Sequence, residues 1–185
     1  MNNELSTDAR PGPHAVVDFW HEAGAHEWFG KRRAFDAELR RRFLHLHEDA
    51  SAGRLESWGH EATGALALMI LLDQFPRNAF RGTPRMYATD ALARYFADRA
   101  VRAGFDVQVD ESLQIFFYLP FAHSEQLDDQ DRSVALHERF GYASNARRHR
   151  DIIRRFGRFP HRNPILGRTM TSEEQAFLDA GGFAG

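Results

Sequence analysis

The sequence contains no cysteine, which excludes disulfides, thiolate metal sites and a thiol nucleophile, and fits a reducing compartment. Lysine is nearly absent as well. Lys31 is the only one among 24 basic residues, so cationic chemistry here is arginine chemistry, with planar forked donors suited to carboxylate or phosphate. A codon bias towards arginine yields the same composition. Long apolar runs are also missing: the longest, residues 65–72, is far short of the roughly 20 residues that cross a bilayer. Residues 1–13 are polar and do not read as a signal peptide. Together these absences predict a cytoplasmic protein without membrane contact. No strand or hairpin pattern, low-complexity linker or glycine-rich phosphate loop occurs, and the last absence excludes the familiar nucleotide-binding folds.

What is present suits one folded unit. At 185 residues, 43% hydrophobic and 27% charged, the chain can bury a sizeable core. A formal net charge of −2 argues against nucleic-acid binding driven by overall charge. Charge is nevertheless polarised. Residues 106–131 hold seven acids and no arginine or lysine, whereas residues 147–168 hold eight arginines and the single acid Asp151. Phe156 and Phe159 interleave the basic stretch but are spaced as core anchors, and the acidic stretch can neutralise it, so nucleic acid is not an expected partner.

Periodicity predicts helices throughout. Residues 31–50 place Phe35, Leu39, Phe43 and Leu46 on one face. Residues 61–75 are apolar on all sides, as in a central buried helix, and Pro76 is expected to stop it at Phe75. Thr89 or Asp90 caps a helix with Ala91, Leu92, Tyr95 and Phe96 inward. Trp28 and Phe29 are expected in the core, and His45 and His47, like His21 and His26, in solvent. Residues 145–156 set Ala146, His149, Ile153 and Phe156 on one stripe, with Gly157 as C-cap and His149 as a satisfied core histidine. Thr171 or Ser172, with Glu174, opens a capping-box helix. The expectation is an all-α single domain of seven to eight helices over residues 13–185, behind a flexible tail of residues 1–12.

Two segments share an ending: Phe75-Pro76-Arg77-Asn78 and Phe159-Pro160-His161-Arg162-Asn163. Residues 71–78, 118–125 and 156–163, in that order, resemble the motifs of the family called domain of unknown function 924. Phe19, Trp20, Trp28, Phe29, Phe35, Asp36, Asp90, Asp129, Gln130, His149, Leu166, Arg168, Glu173 and Glu174 also fall where its pattern puts them. The resemblance spans residues 16–178. It implies an all-α fold resembling tetratricopeptide-like helical domains and no particular reaction. Ala122 departs from the pattern, where a methionine is expected.

Two readings of the polar residues follow. In the first, Arg77, Arg158, Arg162 and Arg168 clamp an anionic small molecule or a peptide carboxylate, oriented by Asn78, Asn163 and His161. Against it stands a structural role: the arginines bind helix-end carbonyls and Asp73 or Glu125, and the asparagines act as left-handed caps. In the second, a small hydrolase-type enzyme uses His123 or His161 as acid/base, oriented by Asp73 or Glu125. His123 follows Pro120 and is expected at a helix start, where N–H groups receive anions, with Ser124 as the competing N-cap. Asp73 is an acid at a helix C-terminus, an unfavourable place that calls for a partner such as arginine. His123, Glu125, Asp128, His149, Asp151 and His161 make no recognised metal-ligand spacing, so neither metal nor cofactor is expected.

Overall fold

The computed structural model describes residues 11–141 and 143–185. Residues 1–10, most of the expected tail, lie outside the described residues. The chain is a single all-α domain, with 74% of the described residues helical. In order come α1 (Pro13–Ala23), α2 (Ala25–Trp28), α3 (Arg33–Ser51), α4 (Ala62–Met69), α5 (Phe75–Ala79) and α6 (Asp90–Arg102). Then follow α7 (Leu119–Ala122), α8 (Leu127–Glu138), α9 (Ser144–Phe156), α10 (Asn163–Leu166) and α11 (Ser172–Asp179). Three of these eleven are four-residue turns of helix, which is why the count exceeds the periodicity estimate. Among the described residues no helix is long and apolar enough to cross a membrane.

The apolar segment forms the axis of the fold. Residues 64–76 are all buried, and α1, α3 and α6 pack around them. Gly64 permits the close approach of residues 56–60, because a Cβ there would stand 2.2 Å from the Trp58 carbonyl oxygen. A smaller second cluster, Ile152, Ile153 and Phe159 with Phe156, Phe177 and Phe183, unites α9, α11 and the segments around them.

The central helix does not stop at Phe75. Helical dihedrals continue from α4 through one π-helical turn, Ile70–Gln74, into α5. Proline in an α-helix lacks its N–H and clashes with the carbonyl four residues back, here Leu72. The wider π turn accommodates Pro76: the Phe75 N–H bonds back to the Ile70 oxygen, five residues away. Neighbouring side chains take up nearby carbonyls. His47 Nδ1 donates to the Leu71 oxygen (2.9 Å), Thr89 Oγ1 to the Leu72 oxygen (2.5 Å) and Arg77 Nη1 to the Asp73 oxygen (2.7 Å). Buried carbonyls left without a partner would carry a desolvation cost, so these three bonds sustain the irregular turn.

Other expectations fail for the same reason. His47 is buried, not solvated, and Thr89 spends its hydroxyl on Leu72 and so makes no cap bond. On α6 the inner face is Ala93, Phe96, Ala97 and Ala100, with Ala91 exposed and Tyr95 largely so. Trp28 is buried, but Phe29 is 59% exposed. Gly157 does end α9 in the left-handed conformation, and Thr171 with Glu174 forms the reciprocal capping box.

Thr89→Val keeps the shape of the side chain and removes its hydroxyl. The Leu72 carbonyl then loses its side-chain donor, and stability should fall by about 1–3 kcal/mol in denaturant titration. A change below about 0.5 kcal/mol would mean the π turn does not depend on this bond.

Candidate functional site

The π turn aims Asp73 into the interior, where it is 1% exposed. Four other residues close a ring of contacts with it. His123 Nδ1 lies 2.8 Å from Asp73 Oδ1. The His123 carbonyl accepts from Arg162 Nη2 at 3.0 Å, and Arg162 Nη1 is 3.5 Å from Asp90 Oδ2. Asp90 takes a two-pronged pair of bonds from Arg77 (2.9 and 3.1 Å), and Arg77 returns to Asp73 at 3.1 Å. Gln74 Nε2 donates to the second Asp73 oxygen at 2.5 Å.

Burial alone would raise the Asp73 carboxyl, but Arg77, His123 and Gln74 together hold it well below the usual carboxylate range. An ionised carboxylate only accepts, so His123 Nδ1 carries the hydrogen and Nε2 keeps its lone pair. Burial, and then the Arg77 charge, lower the His123 pKa against the opposing pull of Asp73, which leaves the ring neutral near pH 7. The loop is braced by Gln130, whose amide donates to the Ala122 and Ser124 carbonyls at 2.8 and 2.6 Å. His123 sits at the C-terminal end of α7, not before a helix start, so no fan of free N–H groups surrounds it. Ser124 is not the N-cap either: Gln126 holds that position without a side-chain cap bond, and the Ser124 hydroxyl donates to Asp129 while accepting the Gln126 N–H.

Arg162 is 6% exposed and lies between two rings, with the Tyr87 and Phe159 centroids both 4.6 Å from its guanidinium carbon. Its Nε has no partner. The neighbouring side chains share this feature: His161 Nδ1 and the Asn163 Oδ1 are buried without partners, as is His149 Nδ1. His149 is therefore only half satisfied, by a bond to the Ala122 backbone. Burial, then Arg162, hold His161 at about 4, and burial, then His123, hold His149 at about 3.

The remaining members of the expected clamp have other partners. Arg168 forms a fork-to-fork pair with Glu125 (2.9 and 2.8 Å), whose Oε1 also accepts the Phe159 N–H. Arg158 does the same with Glu174 (2.6 and 2.9 Å), holding that carboxyl at about 2. Asn78 donates to Asp36 at 2.8 Å and lies away from the ring. Neither Asn78 nor Asn163 is a left-handed cap, since among the described residues only glycines have positive φ. The structure thus gathers Asp73, Arg77, His123, Arg162, His161 and Asn163, and leaves Arg158, Arg168 and Asn78 in ion pairs or hydrogen bonds of their own. Tyr87 and Asp90 were not among the expected site residues. Asp90 already satisfied the reading of a helix start, and nothing local marks Tyr87. Among the described residues no group of three or more His, Asp or Glu is placed to hold a metal ion.

An all-α domain with a buried, charge-balanced polar ring is the class of protein defined here. The chain belongs to the family described as bacterial protein of unknown function (DUF924), whose model matches residues 16–182. A solved structure of a protein of unknown function from Agrobacterium tumefaciens, ATU0120, is similar at 51% identity with a TM-score of 0.90, over 91% of this chain and 97% of that one. No curated protein matches the chain.

The histidines make stability depend on pH. His47, His123, His137, His149 and His161 all have folded pKa values below their ordinary 6.5. The unfolded chain therefore binds more protons than the folded one below pH 6.5, and stability must fall as pH drops towards the folded values. Unfolding free energy should decline from pH 7 to 5, and His149→Phe should reduce that slope by roughly one proton, about 1.4 kcal/mol per pH unit. An unchanged slope in the variant would place His149 in solvent.

Proposed function

We propose that the ring is the active centre of a small acid–base enzyme of hydrolytic type, with His123 as base and Asp73 as its orienting carboxylate. One observation carries this reading: a buried carboxylate 2.8 Å from His123 Nδ1, which leaves the Nε2 lone pair free to take a proton. In this scheme Nε2 removes a proton from water as the water oxygen attacks the substrate. The proton then passes to the leaving group. Arg162, whose Nε has no partner, faces the negative charge that develops on the substrate oxygen. Asp73 steadies the transient imidazolium, and Arg77 and Asp90 fix Asp73 and Arg162 in place. We read the protein as cytoplasmic and its helical array as tetratricopeptide-like.

The anion-binding reading narrows to His161 and Arg162, adjacent side chains with buried nitrogens lacking partners; the partnerless atom of Asn163 is an amide oxygen, which only accepts. Their ligand would be a small molecule with one anionic group, because the four arginines of the expected clamp already face Asp73, Asp90, Glu125 and Glu174.

The test is a panel of p-nitrophenyl esters and phosphates assayed against pH. Turnover should rise with pH through a midpoint below 6.5 and then level off. His123→Gln, with the fold intact by circular dichroism, should lose about 10²–10⁴-fold. Turnover that survives this substitution, or none on any substrate in the panel, would overturn the enzymatic reading. A thermal shift with small anions that is abolished by Arg162→Lys would then support binding alone.

A further inference from the structure

A second cavity lies away from the polar ring, on the face where α2, α8 and residues 111–118 meet. Its volume is about 170 Å³. That is below the roughly 300–1,000 Å³ of sites for drug-sized molecules and close to the ~150 Å³ void that holds a benzene. One small headgroup fits it.

Its walls are aromatic. Trp28, Phe29, Tyr118 and Phe140 all line it, with Tyr118 and Phe140 stacked at 5.6 Å and Trp28 and Phe29 edge to face at 6.3 Å. Phe29 is mostly exposed whereas Trp28 and Tyr118 are buried and Phe140 half-buried, so it stands as a rim.

The polar groups of the wall are selective in kind. Three of its hydrogen-bond donors are occupied within the protein. The Tyr118 hydroxyl donates to Asp106 at 2.9 Å, the Ser112 hydroxyl to Asp110 at 2.5 Å, and the Trp28 indole to the Trp20 carbonyl. Beside the Gln114 amide N–H groups, acceptors remain. The Gln114 amide oxygen is sealed from solvent and has no partner. His137 has Nδ1 2.8 Å from the Ser133 carbonyl, so Nδ1 bears the hydrogen and Nε2 offers a lone pair. Glu111 adds a carboxylate at the edge. Arg139 acts electrically on the Tyr118 phenol but is exposed and not part of the wall.

Aromatic faces carry negative potential, and rings assembled with acceptors and an acid attract cations. We infer that this cavity is a binding site for a small organic ammonium ion, its methylated forms above all, held by Trp28, Phe29, Tyr118 and Phe140 with Gln114 and Glu111 as acceptors. The site is independent of the His123 reading and shares no residue with it.

Choline and its uncharged carbon analogue 3,3-dimethyl-1-butanol serve as the probes, titrated into the full chain at constant ionic strength while tryptophan fluorescence is followed. Choline should give a saturable change in the millimolar range or tighter, and the uncharged analogue should bind at least fivefold more weakly. Glu111→Gln and Phe29→Ala, both at exposed positions that leave the fold intact, should each weaken choline at least threefold. Equal affinity for the two probes would reduce the site to an apolar void. No saturable change with choline, or choline binding indifferent to both substitutions, would overturn the proposal.

Discussion

The buried polar ring of this protein hangs on one backbone irregularity. A proline sits inside the most deeply buried helix, and the chain meets it with a π turn, not with a break. That turn keeps residues 62–79 helical and rotates Asp73 inward. It also requires outside donors for carbonyls that regular helix would have satisfied, and these come from α3 (His47), from the start of α6 (Thr89) and from α5 itself (Arg77). The irregular turn and the packing of three helices are therefore one structural fact. Single π turns recur at functional sites because they re-aim a side chain without ending the helix.

The inward carboxylate then dictates charge placement. A buried anion demands a close cation, and Arg77 meets it; Arg77 in turn is shared with Asp90, and Asp90 with Arg162. The chain of pairs links the main core to the smaller one around Phe159, because Arg162 stacks on that ring. Removing one member would strand a buried charge, so the ring fixes how the two cores dock. His123 is the one member with a ring nitrogen lone pair to take a proton, and the concentration of partnerless atoms at His161, Arg162 and Asn163 lies beside it.

Local features of the sequence were legible. The amphipathic stripe of α3, the all-round apolar axis, the left-handed Gly157 and the Thr171–Glu174 capping box each depend on residues within one or two turns. The misfit of Asp73 at a helix end also pointed to an arginine partner, found at Arg77. What depended on distant residues was not legible. The rule that proline ends a helix holds only while the carbonyl four residues back stands in its way, and that carbonyl is taken by Thr89, seventeen residues downstream. His47 reads as solvated until its acceptor at Leu71 is known. Three arginines of the basic stretch 147–168, Arg158, Arg162 and Arg168, were expected to clamp an anion. Seven of the stretch's eight arginines instead have a carboxylate within 4.0 Å, drawn from Asp90, Glu125, Asp131, Glu138, Asp151, Glu173 and Glu174. Only Glu125 and Asp131 belong to the acidic stretch expected to neutralise it.

The central claim is that the π turn presents an ionised Asp73 to His123 Nδ1 and so frees Nε2. Nitrogen-15 NMR of the histidine rings reads this directly. The account predicts that His123 is neutral at pH 7, carries its hydrogen on Nδ1 and stays so to well below pH 6.5, its ordinary pKa. A His123 with its hydrogen on Nε2, or one that titrates at 6.5, would contradict it.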